Sequence, residues 1–408
     1  NFSDILLPAR AMTRASAMLA LLALWLPACG HGLSVPTEKP FVDYMFGSGT
    51  APKMQALPKF HVYLDIEPEQ RWAQVAEYYK RELPLMMTAF QQAMDMRLGT
   101  MLPSWVKLDA IDGEYIRELQ GIVTVVNDKR VTLQRLIHLQ MLYEMGSPTF
   151  CSGILAANQS GTVFHGRNMD YSFKFKGSNG RVLNWPDVTF DVYYYRDGRQ
   201  IMTSTNWPGR IGINTGMRFG GWSFTQNTRL TNNVMENLLT AQNGGMVYGL
   251  FVRKLMESVE DFETAVQRIY KANFMSSFYA VLAGTGPYEG AVLTIDRGGL
   301  HMAGSPPIQR LSSTKWNIVQ TNDDLLGPSF DPRRPIAEEV FKKSYKKQVT
   351  IASISQLMHA LPIYNPLTVF TWVAVPASNY HDTSLYDLNA MRNPNTGDGL
   401  GYLPILQT

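Results

Sequence analysis

The sequence changes its periodicity at Cys151, and this change limits the fold more than any other feature. Upstream, three stretches with helical spacing follow one another, and Pro84 is expected to break or kink the first of them. Downstream, the runs CSGILAA and TVFHGRNMD are strand-like and are joined by NQSG, a turn sequence. A helical segment followed by a β-hairpin is therefore predicted, with the hairpin beginning at Cys151.

The same strand–turn–strand pattern recurs further along the chain. A second hairpin is predicted around Asp197-Gly198, a third from SFYAVLAGTG to AVLTIDRGG, and single strands at KWNIVQTN and LTVFTWVAVP. Two pairs of helical stretches separate these strands. The order favours stacked antiparallel sheets covered by helices, which is an α+β fold.

Composition and charge narrow the class of protein. Of 408 residues, 45% are hydrophobic and 17% are charged, which suits a well-buried globular chain and argues against disorder. The formal net charge of +3, without a run of Lys and Arg, gives no support for nucleic-acid binding. Five of the 21 Met residues fall between Met86 and Met101. On an amphipathic helix over residues 68–98 they either pack inward or contact a membrane or micelle.

Residues 1–30 are interpreted as upstream residues and a signal peptide. Met12 is a candidate initiator, and a basic residue, a short apolar core and small residues follow it. The apolar run is too short to span a bilayer comfortably. A lysosomal or secreted protein is expected. The sequence LPAC, ending at Cys29, loosely resembles a bacterial lipoprotein cleavage box, which would instead indicate a lipoprotein or periplasmic protein.

With Cys29 assigned to targeting, Cys151 is the single cysteine of the mature chain. A lone thiol in a compartment that permits disulfides is a candidate reactive group, and a buried inert side chain is the alternative. The pattern C-x15-R-x2-D returns Arg167 and Asp170 toward the start of the strand. A guanidinium there would favour thiolate and a carboxylate would orient donors. An ordinary ion pair between the two is the alternative.

No recognisable sequence pattern identifies a histidine as the catalytic base. CSGIL does not match the papain signature, and neither HExxH nor CxxC occurs, so neither a metal nor another cofactor is predicted. The α-amine of the cysteine itself, with a pKa of about 8, is a suitable base. This requires the chain to be cut between Phe150 and Cys151.

The segment CSGILAANQSGTVFHGRNMDY resembles the start of the β chain in the family of acid ceramidase and N-acylethanolamine-hydrolysing acid amidase, which are N-terminal-nucleophile hydrolases. The resemblance covers roughly residues 58–376 and includes FHVYLDIEPEQRW, GTGPYEGAVLTIDR, VQTNDD and LPIYNPLTVFTWV. It implies a four-layer αββα sandwich. It also implies a precursor that cuts itself into a helical α chain, residues 31–150, and a catalytic β chain, residues 151–408.

The resemblance implies roles for individual residues. Cys151 would be the nucleophile that first attacks the Phe150 carbonyl, after which the freed α-amine acts as general base. Arg167 and Asp170 match site residues of the family, with Asp170 holding the amine. Asn322, in VQTN, matches the oxyanion donor.

Four further residues complete the predicted site and its surroundings. Arg333 in DPRR matches the supporting arginine of the family, with Arg334 as the alternative. Asn214 falls where bile-salt hydrolase relatives place a second oxyanion asparagine, and a polar turn residue is the alternative. Tyr171 is expected to bind substrate. Asn158 lies in an N-glycosylation sequon.

The activity that the resemblance implies is hydrolysis of N-acylethanolamines through a thioester, without a cofactor. Alternatives are ceramide hydrolysis and, for a bacterial source, hydrolysis of conjugated bile acids or other N-acyl amides. A lipid-binding protein with an inert cysteine is the alternative from another class. Acid ceramidase joins its chains by a disulfide, for which no cysteine remains here. A non-covalent heterodimer is therefore expected, and this departure favours the acid amidase.

Overall fold

The computed structural model describes residues 54–98, 111–145, 150–229, 233–299, 308–325, 329, 331–344 and 346–386. The predicted signal segment and Cys29 lie outside these ranges. The helices are α1 (Ala73–Tyr78), α2 (Leu83–Leu98), α3 (Gly113–Val126), α4 (Leu133–Gln140), α5 (Val234–Gln242), α6 (Tyr248–Ser258), α7 (Phe262–Lys271), α8 (Arg333–Lys343) and α9 (Ile351–Met358).

The strands follow the hairpin pattern of the sequence. They are β1 (Met54–Gln55), β2 (Lys59–Tyr63), β3 (Phe150–Ala157), β4 (Val163–Asp170), β5 (Lys174–Lys176), β6 (Val182–Asn184), β7 (Phe190–Arg196), β8 (Arg199–Asn206), β9 (Thr215–Arg218), β10 (Trp222–Thr228), β11 (Phe278–Gly284), β12 (Gly290–Ile295), β13 (Ile308–Arg310), β14 (Asn317–Gln320), β15 (Thr368–Val375) and β16 (Tyr380–Tyr386).

Two sheets carry the architecture. One has the strand order β1-β16-β15-β4-β3-β14, the other β13-β12-β11-β10-β9-β8-β7-β2, and β5 and β6 form a separate pair. Neighbouring strands of the large sheets run antiparallel, apart from β2, which pairs parallel with β7. Both sheets are therefore built chiefly from hairpins, as the turn sequences predict.

The sheets pack face to face, and helices cover their outer sides. Strands β3 and β4 lie against β10 and β11, α8 and α9 contact the six-stranded sheet, and α6 and α7 contact the eight-stranded sheet. The predicted four-layer αββα sandwich is confirmed. The segment before Cys151 is mostly helical, also as predicted, but contributes one edge strand to each large sheet.

The first predicted helix is divided into two. Helix α1 ends at Tyr78 and α2 begins at Leu83. Pro84 therefore lies in the first turn of α2, where a missing N–H removes no helical hydrogen bond. The break is present, but it precedes Pro84 and is not caused by it.

The Met side chains of α2 mostly point inward. Met86, Met87 and Met94 are buried in the main core, whereas Met96 is exposed. This distribution favours inward packing over a lipid-facing Met surface. Within the described ranges, none of the helices combines the length and the apolar character needed to cross a membrane.

His165 lies between the two sheets as a structural residue. Its Nδ1 is 2.9 Å from Ser223 Oγ and its Nε2 is 3.0 Å from Thr225 Oγ1, and the ring is fully buried. Burial, together with the nearby Arg167, lowers the pKa of His165 to about 3.

This depressed pKa predicts a loss of stability in acid. An unfolded imidazole takes up a proton below pH about 6.5, while the folded one does not, so the free energy of unfolding falls by about 2 kcal/mol between pH 7 and pH 5 through this group. His165→Gln, which keeps a donor and an acceptor, should show a correspondingly smaller fall in chemical unfolding at the two pH values. The exposed His61 provides the control, since His61→Gln should behave as wild type. An equal fall in wild type and His165→Gln would contradict the prediction.

Candidate active site

The β3–β4 hairpin brings the predicted residues to one strand end. Phe150 pairs with Asp170, Cys151 with Met169, and Gly153 with Arg167. In the connecting turn, Asn158 Oδ1 accepts hydrogen bonds from the backbone N–H groups of Ser160 (3.1 Å) and Thr162 (3.0 Å). The spacing C-x15-R-x2-D is therefore the spacing of one tight hairpin.

The thiol of Cys151 faces a guanidinium. Arg167 Nη2 is 3.4 Å from Cys151 Sγ, and Met169 Sδ is 3.7 Å from the same sulfur. Nη1 of Arg167 donates to the Asn214 carbonyl and to the Thr215 hydroxyl, so the cation is held in place. A cation at this distance stabilises negative charge on the sulfur in a buried site.

The backbone nitrogen of Cys151 is held by Asn322. Cys151 N donates to Asn322 Oδ1 at 2.8 Å, the same oxygen accepts from Arg333 Nη2 at 2.8 Å, and Asn322 Nδ2 donates to the Thr228 carbonyl at 2.8 Å. These partners fix which amide atom is the oxygen. In this state Asn322 binds the nitrogen of the nucleophile, and its own N–H is engaged elsewhere.

Asp170 reaches the same nitrogen indirectly. Its carboxylate accepts from Arg333 Nη1 at 2.8 Å and from Thr368 Oγ1 at 2.7 Å. Burial raises the pKa of Asp170, and the guanidinium of Arg333 opposes that rise. Asp170 thus fixes Arg333, Arg333 fixes Asn322, and Asn322 holds the Cys151 nitrogen.

The two candidate arginines of DPRR, Arg333 and Arg334, bind different groups. Arg333 joins Asp170 and Asn322, as described above. Arg334 donates to the Asp324 carbonyl at 2.9 Å and pairs with Asp323 at 3.2 Å, on the loop after β14. Arg333 is therefore the one that faces the cysteine.

Asn214 supplies a second amide close to the thiol. Its carbonyl holds Arg167, and its Oδ1 accepts from Arg210 Nη2 at 2.9 Å. Its Nδ2 is buried and forms no well-aligned hydrogen bond among the described residues, although the Asn214 side chain interacts with that of Tyr143. A buried donor that is poorly satisfied is costly, so this amide is suited to a group that arrives with the substrate.

Tyr171 and Phe150 pack against other side chains. The Tyr171 ring stacks on Trp185 with centroids 5.7 Å apart, within an aromatic cluster. The Phe150 ring lies 5.8 Å from the guanidinium carbon of Arg333. The geometry therefore gives Tyr171 a packing contact and brings Phe150 to the supporting arginine.

Two residues beyond those predicted complete the site. Asn227 Nδ2 donates to the Gln320 carbonyl at 2.9 Å and lies 3.4 Å from the Cys151 carbonyl, which ties β3 to β14. Asp331 accepts from Arg333 Nε at 2.9 Å. Asp331 was within reach of sequence reasoning, because it belongs to the DPRR motif, whereas Asn227 gave no signal.

Residues 141–145 are buried, and Tyr143 contacts a neighbour of the cysteine. Tyr143 Oη is 3.5 Å from Met169 Sδ, the sulfur next to the thiol. Glu144 accepts hydrogen bonds from Asn237 Nδ2 at its carbonyl (2.6 Å) and from Tyr248 N at its side chain (3.2 Å). Burial raises the pKa of the Glu144 carboxyl to about 7, against an opposing effect of Arg210.

The described ranges contain no group of three or more His, Cys, Asp and Glu side chains placed to hold a metal ion. The carboxylate of Asp170 is instead paired with Arg333.

The chain is similar in sequence to known enzymes. The chain is 29% identical over 331 residues to N-acylethanolamine-hydrolyzing acid amidase of Rattus norvegicus, covering 78% of this chain and 85% of that protein. It is 26% identical over 356 residues to acid ceramidase of Heterocephalus glaber, covering 81% and 86%. A solved Caenorhabditis elegans ortholog of the acid amidase matches with a TM-score of 0.49 and 25% identity, over 56% of this chain and 93% of that one. No family model matches.

These relatives indicate an amide-bond hydrolase. In its sandwich a cysteine lies at the start of an inner strand, with arginine, aspartate and asparagine side chains near it. Within that class, the chain is similar in sequence to the N-acylethanolamine-hydrolysing acid amidases and the acid ceramidases.

Proposed function

We propose that the protein is a self-processing amidase that hydrolyses N-acylethanolamines to a fatty acid and ethanolamine through a thioester on Cys151. One observation carries the proposal: Asn322 Oδ1 holds the Cys151 nitrogen at 2.8 Å beside a thiol that faces Arg167. A site that grips the nitrogen of its own nucleophile suits a mechanism in which that nitrogen becomes the catalytic amine.

Self-cleavage is the first reaction. The Cys151 thiolate attacks the Phe150 carbonyl carbon, a C–S bond forms, and the peptide C–N bond breaks as the nitrogen takes up a proton. Water then hydrolyses the thioester, which leaves a carboxylate on Phe150 and a free amine on Cys151. The products are an α chain, residues 31–150, and a β chain, residues 151–408, which remain a non-covalent heterodimer.

Turnover repeats the same chemistry on a lipid amide. The free amine takes the thiol proton, and the thiolate attacks the substrate carbonyl carbon. The buried Nδ2 of Asn214 stabilises the oxyanion, a contribution of about 3 kcal/mol for such a group. The ammonium then protonates the departing ethanolamine nitrogen, and water releases the fatty acid from sulfur.

The uncut chain is an inactive precursor in this proposal. Cys151 has no exposed surface, and Tyr143 lies against Met169 on top of it. A cut at residue 150 gives residues 141–145 a free end nearby, so that the covering segment is able to move. A lysosomal or secreted location follows from the predicted signal peptide and is part of the proposal.

Ceramide is the second candidate substrate, because acid ceramidases match the chain at similar coverage. The acid amidases match with slightly higher identity, which favours N-acylethanolamines.

The proposal is tested by intact mass and by product analysis. After incubation at pH about 5, purified protein should yield a new fragment that begins at Cys151. That material should then release ethanolamine from N-palmitoylethanolamine faster than sphingosine from a ceramide of the same acyl length. A chain that stays whole and inactive at every pH would overturn self-processing. A cut chain that prefers the ceramide would replace the substrate and keep the mechanism.

A further inference from the structure

Arg253, on helix α6, is a buried cation between the two segments that the proposed cut separates. Its Nη1 and Nη2 donate to the two carboxylate oxygens of Glu118 at 2.5 and 2.7 Å. Its Nε donates to Glu257 Oε1 at 3.0 Å. The side chains of both Arg253 and Glu118 have no exposed surface. Glu118 precedes the cut site and Arg253 follows it, so this bidentate pair crosses from one segment to the other.

Glu118 is also held from its own side of the cut. Arg71 Nη1 donates to Glu118 Oε1 at 3.0 Å and Trp72 Nε1 donates to Glu118 Oε2 at 2.6 Å. Four donors thus converge on one buried carboxylate, two from each segment. Such a carboxylate keeps all four donors only while both segments stay in place, and it loses its bidentate partner when they separate.

Three aromatic rings surround the guanidinium of Arg253. Its central carbon lies 4.5 Å from the ring centroid of Tyr115, 5.7 Å from that of Trp72 and 5.4 Å from that of Tyr194. Tyr115 Oη also donates to Glu257 Oε1 at 3.2 Å. Two of these rings come from before the cut and one from after it, and each adds a cation–π contact in a desolvated place.

We propose that this cluster, the Arg253 clamp, is the docking site that keeps the two fragments together after self-cleavage. It comprises Arg71, Trp72, Tyr115, Glu118, Tyr194, Arg253 and Glu257. The partner it fits is the chain's own N-terminal fragment, and the inference rests on the proposed cut. Separating the fragments would leave Glu118 with only the donors of its own segment and Arg253 with only Glu257 as a carboxylate partner, and it would remove two rings from the aromatic cage. The clamp therefore opposes separation without a covalent link.

The residue next to Arg253 provides a matched control. Lys254 Nζ pairs with Asp112 Oδ2 at 3.0 Å, also across the two segments, but the side chains are 52% and 36% exposed. An exposed pair of this kind contributes little to association. Lys254 Nζ also lies 5.8 Å from the Tyr115 ring centroid and 3.8 Å from Glu114 Oε2, so its replacement removes exposed contacts across the same two segments. The comparison therefore sets exposed contacts against buried ones.

The test measures the dissociation rate of the fragments in wild type, Glu118→Gln, Tyr115→Phe and Lys254→Ala. Each protein is cut in one of two ways: by itself at pH about 5, or in a Cys151→Ala background by a protease whose recognition sequence replaces residues 146–149. Exchange against an isotope-labelled N-terminal fragment is followed by native mass spectrometry. The second route tests the clamp even where the chain does not cut itself.

Glu118→Gln should accelerate dissociation at least about 30-fold, since it places an amide donor among four donors. Tyr115→Phe should accelerate it about 5-fold, and Lys254→Ala less than about 3-fold. If the uncut Glu118→Gln chain does not unfold cooperatively, that variant is set aside. The dissociation rates of Tyr115→Phe and Lys254→Ala are then compared instead. Equal dissociation rates in the folded variants would overturn the clamp. A wild-type chain that never cuts itself would overturn self-processing and leave the result of the protease route standing.

Discussion

Replacing Cys151 by alanine is expected to leave the chain whole at every pH and to abolish turnover. The sulfur is the atom that attacks in both proposed reactions, so its removal should lower the rate at least about 10⁴-fold. The fold should survive, because the thiol contacts Arg167 and Met169 without holding either in place; Arg167 is fixed by Asn214 and Thr215. Intact mass and release of ethanolamine are the two measurements.

The Cys151→Ser variant distinguishes the requirements of self-cleavage from those of turnover. A serine keeps the nitrogen that Asn322 holds and supplies a weaker nucleophile, so slow self-cleavage with little turnover is expected. An alanine variant that is cut at the same bond, or that releases product at the wild-type rate, would show that another group attacks.

Arg333→Met should lower turnover at least about 100-fold, whereas Arg334→Met should change it less than about 5-fold. Arg333 joins Asp170 to Asn322, so its loss frees the asparagine that holds the Cys151 nitrogen. Arg334 bonds the loop after β14 and does not contact either group in the described structure. The two variants remove the same charge one residue apart, so net charge is matched.

A stability measurement distinguishes Arg333 from an ordinary structural residue. Burial raises the pKa of Asp170 and Arg333 counteracts this, so removing Arg333 should raise that pKa further. A carboxyl whose folded pKa is raised is tolerated while protonated and loses stability as pH rises through it. Arg333→Met should therefore lose more stability relative to wild type at pH 7 than at pH 5. A loss independent of pH, or equal turnover in the two variants, would contradict the assigned role.

The hairpins of the fold could be predicted because the geometry of a turn depends on the few residues that form it. NQSG and Asp197-Gly198 give the hairpins β3–β4 and β7–β8, and the first of these fixes the register of Cys151 against Met169. That register places Arg167 near the thiol, which explains why spacing alone pointed to the pair.

Two elements escaped prediction for physical reasons. Helix α6 buries the charged Arg253 and Glu257 together with its apolar residues, so charge does not mark its exposed side in the sequence. Strand β2 pairs parallel with β7, more than a hundred residues away, and no turn sequence signals such a pairing.

The roles of the residues around the Cys151 nitrogen also could not be predicted from the sequence. The resemblance implies that Asp170 holds the amine and that Asn322 donates to the oxyanion. In the described state Asn322 faces the nitrogen because the Thr228 carbonyl takes its amide hydrogen, and Asp170 acts through Arg333. The orientation of an amide depends on backbone groups from distant strands, and motif spacing does not contain them.

The segment before Cys151 ends both sheets on the same side. Strand β1 pairs with β16 at the edge of one sheet, and β2 pairs with β7 at the edge of the other. A polypeptide that starts at Cys151 therefore has the reactive residues but two open rows of backbone donors and acceptors. Exposed edges of this kind join to one another between molecules. If the proposed cut occurs, the N-terminal fragment still covers part of the β16 edge and most of the β7 edge, so we expect a β chain without it to self-associate more readily.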